Sequence, residues 1–109
     1  MPHIRARGTT LDDVKTLSRM TSTEISELCQ CAITDLTWEV TQTQFIVDGA
    51  VDGGYPIVEF LWFDRGQDVK NKIAKILDEA LKQRGYSGDR AIIFSQVDQT
   101  NYFECGNHF

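Results

Sequence analysis

The sequence is sparing with the residues that usually announce chemistry. It holds two histidines, His3 and His108, at opposite ends of the chain, without the spacing with carboxylates that a metal motif needs, so no metal site and no cofactor is expected. Three cysteines, Cys29, Cys31 and Cys105, make an odd count with no paired spacing, which excludes a disulfide framework and a zinc ribbon. Cys29-Gln30-Cys31 is CxC rather than CxxC, and Cys29 falls in a helical pattern as a small packing residue, so the thiols are read as reduced. Cations are outnumbered 11 to 16, for a net charge of -5, which argues against a broad phosphate-binding surface and against nucleic acid as partner. No apolar stretch approaches the ~20 residues that span a bilayer, and no signal-like run follows the first basic residues. The expectation is a cytoplasmic protein whose residues 1–109 form a single domain, near the size where self-association adds stability.

What is present is clear periodicity. His3-Ile4-Arg5-Ala6-Arg7 alternates as a strand with one buried face. From Leu11, apolar positions at three- and four-residue steps (Val14, Leu17, Thr21, Ile25, Leu28, Cys29) predict a long helix, with Thr9 or Thr10 as N-cap and Asp12-Asp13 at its positive end. Its weak helix formers Met20-Thr21-Ser22-Thr23 predict a local irregularity. Leu36, Trp38 and Val40 share one strand parity and Phe45 and Val47 the other, separated by a bulge or turn, and Asp48-Gly49 and Asp52-Gly53-Gly54 mark a turn-rich loop. Ile57–Phe63 is an almost unbroken apolar run, a strand asking for cover on both faces. Asp64 and Gln67 have the spacing of a capping box, the stripe Val69, Ile73, Ile76, Leu77, Ala80 and Leu81 predicts a second helix, and Gly85 supplies its left-handed stop. A strand from Ala91 to Phe94 and an aromatic tail, Asn101 to Phe109, docked rather than loose, complete the order. The result is an α+β chain, β-α-β-β-α-β with short extra strands, whose two crossover helices lie on one face of a mixed four-stranded sheet. Its second face is read as apolar and covered by another copy of the chain.

Assembled in this way, MPHIRARG at the start, VDGGYPIVEFLWFDRGQ in the middle and NYFECGNHF at the end resemble the tautomerase superfamily of 4-oxalocrotonate tautomerase and macrophage migration inhibitory factor, and within it a small bacterial family of unknown function. The resemblance spans nearly the whole chain. It implies the tautomerase/MIF-like fold, a homotrimer whose sheets wrap a central barrel, a site at a subunit boundary, and a catalytic amino-terminal proline, here Pro2 after loss of Met1. Fold alone does not confer chemistry.

The residues suggest how such chemistry would run. An ordinary α-amino group titrates at ~7.7–8.0, and burial or a nearby cation lowers that value, so a sheltered proline amine is a usable base near neutrality. It would take a proton from one atom of a small enol or keto carboxylic acid and return it to another. Arg65, at the junction of the central strand and the second helix, is the preferred carboxylate anchor, with Arg5 as a further substrate-binding candidate and Arg7 as another nearby cation. Asn101 and Tyr102 could donate hydrogen bonds to an enolate oxygen. The competing uses are ordinary ones: Arg65 as a solvated helix-start residue or interface ion pair, Tyr102 as an interface aromatic, Trp38 and Trp62 as packing, Glu59 as the partner of an arginine across the assembly. Two rival functions stay open at this point, a trimeric binding or structural protein without turnover and a ferredoxin-like ligand-binding dimer with the same element order.

Overall fold

The computed structural model describes residues 1–108. Four strands form the main sheet: β1 (His3–Arg7), β2 (Thr37–Val40), β5 (Ile57–Trp62) and β6 (Ala91–Gln96), in the order β2-β1-β5-β6. β1 and β2 are parallel, as are β5 and β6, and the two halves join through the antiparallel β1–β5 pair. A ferredoxin-like sheet splits each β-α-β unit by inserting a strand between its members, whereas here β1 lies directly beside β2. That order removes the ferredoxin-like alternative.

The alternation read from the sequence is what packs the core. Ile4 and Ala6 of β1 and Val58, Phe60 and Trp62 of β5 are buried. They meet Val14, Leu17, Ile25 and Cys29 of α1 (Leu11–Cys29) and Ile73, Leu77, Ala80 and Leu81 of α2 (Gln67–Gln83) in one cluster. The aromatic centre is Phe60, Trp62 and Phe94, with ring centroids 5.2–5.7 Å apart. Burial of each such side chain contributes ~1.5–3 kcal/mol.

Several expectations need correction. α1 runs unbroken through Met20–Thr23, because Thr21 turns its hydroxyl back to the Leu17 carbonyl at 2.8 Å and stays helical. Leu11 opens that helix but is 57% exposed. Thr10 is the N-cap, its hydroxyl accepting from the Asp13 N–H. Asp64 does not cap α2; Gly66, at φ 96°, takes that position, and the Asp64 carboxylate accepts from the Gly66 N–H at 2.9 Å. The Gly-rich loop contains a hairpin, β3 (Phe45–Val47) and β4 (Ala50–Asp52), turning at Asp48-Gly49 and detached from the main sheet. The tail ends in a second small hairpin, β7 (Phe103–Glu104) and β8 (Asn107–His108). It is docked at Tyr102, whose ring meets Phe63 edge-on at 5.4 Å, while Phe103 is exposed; Phe109 lies outside the described residues.

The second sheet face also differs from its reading. Ile57, Leu61 and Ile93 stand on it, but so do His3, Arg5, Glu39, Glu59 and Ser95, making it charged as much as apolar. Arg5 donates from Nε to Glu39 (2.5 Å) and from Nη1 to Glu59 (3.3 Å). Ser95 donates to the other oxygen of Glu59. The arginine partner foreseen for Glu59 therefore comes from its own chain.

Candidate functional site

The start of the chain lies at the edge of the main sheet, where three elements converge. Continuing the β1–β5 register by two residues sets Pro2 opposite Trp62 and Met1 opposite Phe63. On the other side, the Pro2 carbonyl accepts from the Thr37 N–H at 3.3 Å. Pro2 shares the inward parity of Ile4 and is fully buried.

The end of α1 arrives at the same place. Its last turn carries no basic residue to balance the exposed carbonyls, and Gln30 closes it in the left-handed conformation. The cation comes instead from the β5–α2 connection. Arg65 donates from Nε to the Cys29 carbonyl (3.1 Å) and from Nη1 to the Phe63 carbonyl (2.6 Å), and its guanidinium carbon sits 5.4 Å from the centre of the Trp62 ring. Arg65 is thus neither a solvated helix-start residue nor a free anchor. It closes the C-terminal end of α1 and binds it to β5, and Nη2 has no protein partner among the described residues.

A cleft of about 990 Å³ opens over this junction. Met1, Arg65 and Tyr102 all line it, with Cys31, Phe63 and Leu61 among the walls. Of the residues singled out in the sequence, the structure therefore brings Arg65 and Tyr102 together with Met1, whereas Pro2 is buried behind Met1 and is not itself in the lining. Asn101 is exposed in the short turn before Tyr102 and does not line the cleft. Arg5 points to the open sheet face and is engaged by two carboxylates.

Other lining residues escaped the sequence reading. Cys31 follows the helix end directly, and its place in the cleft depends on the turn at Gln30. Burial, reinforced by Asp35, pushes its thiol up, against the opposing pull of Arg65 and the amino terminus. Asp64 and Glu104 add carboxylates; Glu104 accepts from the Tyr102 hydroxyl at 3.3 Å. The Tyr102 phenol is held above its ordinary range by burial and then by Glu104, so it keeps its proton and remains a donor. The only available signal for Glu104 was the period of two that places it beside Tyr102 in the tail. Among the described residues no cluster of histidine, cysteine and carboxylate side chains is suited to a metal ion.

A fold with two helices on one face of a mixed sheet, built from two parallel β-α-β halves, is that of the tautomerase superfamily. The crystal structure of a macrophage migration inhibitory factor-like protein from Entamoeba histolytica has a TM-score of 0.74 at 13% identity, with 99% of this chain and 98% of that chain covered. A fused 4-OT asymmetric trimer has a TM-score of 0.81 at 9% identity, covering 97% and 94%. More specifically, residues 1–108 match the family described as Domain of unknown function (DUF1904), and the chain belongs to it. A DUF1904 crystal structure from Sebaldella termitidis ATCC 33386 is 33% identical over the whole of both chains, with a TM-score of 0.93. A comparison with curated proteins finds no match.

Proposed function

We propose that this protein is a proton-transfer isomerase acting on a small enol or keto carboxylic acid, with the secondary amine of Pro2, released by loss of Met1, as general base. The observation that carries this reading is the position of the N-terminus in one cleft with Arg65 and Tyr102. Pro2 is buried beside Trp62, and a secondary amine sheltered there after loss of Met1 would be a usable base near neutrality. The unpartnered Nη2 of Arg65 would meet the substrate carboxylate, and the Tyr102 hydroxyl would donate to the oxygen that gains charge in the enolate. Residues 1–109 act as one domain in a homotrimer. The superfamily fold and its likeness to the fused 4-OT trimer support that assembly, as does an open sheet face on which Ile93 is 47% exposed.

Intact mass shows first whether Met1 is gone. On processed protein, Pro2→Ala is expected to lower turnover of phenylenolpyruvate by ~10²–10⁴-fold. An unchanged rate, or Met1 still in place, would remove the general-base role. A second reading, a trimeric binding or structural scaffold without turnover, is favoured by Arg65 donating two of its N–H groups to backbone carbonyls. It predicts that Pro2→Ala has little effect on assembly or ligand binding.

A further inference from the structure

The charges around the cleft are unequal. Apart from the amino terminus, which the proposed reaction needs uncharged, its described lining offers one permanent cation, Arg65, against three carboxylates, Asp35, Asp64 and Glu104. Lys70 stands 3.9 Å from Asp64 and balances that group in part, and His3 lies 3.3 Å from Glu39, which draws on any charge it carries. The carbonyl end of α1, with Gln30 and Cys31 in the wall, adds further negative potential. Arg65 has already committed Nε and Nη1, so one N–H₂ group is left to receive an anion. The remaining wall carries no further charge of fixed sign: Leu61, Phe63 and Val97, with the Tyr102 ring packed against Phe63, form an apolar strip beside the polar Thr34, Thr37 and Gln99.

Resting on the reading of this cleft as a substrate site, we infer that it takes a singly charged acid with an uncharged tail, laid on the strip of Leu61, Phe63 and Val97, and rejects dicarboxylates. One carboxylate is matched by one free guanidinium edge. A second carboxylate on the same small molecule would face Asp64, Glu104 or the helix carbonyls without a further permanent cation, and like-charge contact is one of the means by which a site refuses a ligand.

The test compares phenylacetate with homophthalate, the same framework bearing a second carboxylate, by following backbone amide signals of Gln30, Cys31, Arg65 and Tyr102 in the processed full chain. Phenylacetate is expected to bind at least about tenfold more tightly, the lower end of the range over which a charged cleft biases ligands. The paired substitutions Asp64→Asn and Glu104→Gln separate charge from bulk: homophthalate affinity should rise by about threefold or more while phenylacetate affinity changes little. Equal or tighter binding of homophthalate, no response of the pair to those substitutions, or no shift with either acid would overturn the inference. Its fate is separable from that of the general base. Selective binding with turnover indifferent to Pro2→Ala leaves charge selection standing and removes the base, whereas Pro2-dependent turnover with equal binding of both acids does the reverse.

Discussion

Single side chains in this protein take their properties from burial more than from composition. Burial pushes the Cys29 thiol up to about 11, and Arg65 only partly offsets it. At pH 7.5 iodoacetamide should therefore modify exposed Cys105 first and leave Cys29 intact until the chain is unfolded; mass mapping after short labelling checks this. Asp13 shows the opposite effect. The Tyr86 hydroxyl, donating at 2.5 Å, and then Arg84 hold its carboxyl below the usual range, joining the start of α1 to the segment that follows α2. Tyr86→Phe should cost about 1–3 kcal/mol near neutrality, read from denaturant unfolding. Because the Asp13 value is lowered on folding, its contribution is complete above the unfolded value of ~3.9 and is lost as pH falls through the folded one. The gap between wild type and Tyr86→Phe should accordingly narrow below about pH 4.

At the scale of elements, the strands and helices follow their periodicity and the exceptions sit at the joints. β1 buries the alternate residues that the sequence marked, β5 proves one-sided where an all-apolar strand was expected, and Gly85 takes the left-handed conformation just after α2 as read, with the Tyr86 N–H returning to the Leu81 carbonyl. The start of α2 departs from its capping-box spacing at Asp64 and Gln67, because Gly66 has a backbone that only glycine adopts freely, which turns Asp64 toward its own loop. Gly8 is the other joint where glycine is required. It has φ 71°, and a Cβ there would lie 2.2 Å from the Tyr55 carbonyl oxygen. Gly8→Ala should destabilise by at least about 1–3 kcal/mol, measured by thermal or urea unfolding, since the exit of β1 would have to move away from the entry of β5. β3 was legible from the shared parity of Phe45 and Val47, whereas β4 was legible only as turns, because three residues flanked by Asp48-Gly49 and Asp52-Gly53-Gly54 are too few to show alternation.

For the whole molecule, the radius of gyration is 14.7 Å, against about 13 Å for a compact domain of this length. The exposed hairpin residues Ile46, Val47 and Val51, and Phe103 in the tail, extend away from the core. Apolar arms and a mixed charged and apolar sheet face are surfaces on which copies of a chain can meet. Sedimentation equilibrium is expected to give three times the 12.4 kDa chain mass, and a monomer at micromolar concentration would remove the trimer. If the arms are part of that contact, Ile46→Asp with Val51→Asp should shift the distribution toward monomer without changing the far-ultraviolet signal of the core elements.

The order of strands and helices, the inward parity of β1 and the burial of the α2 stripe were written in the amino acids, because short-range periodicity is a local property and each inward face had to find an apolar partner. That Arg65 spends Nε on the Cys29 carbonyl, that Glu104 shares its cleft, and that Cys31 shares a wall with Met1 were decided only when α1, β5 and the tail came together, since those pairs lie dozens of positions apart. Pro2 lies between the two cases. Its residue type is evident at first sight, but its seclusion beside Trp62 exists only because β1 and β5 run antiparallel in a register that ends there.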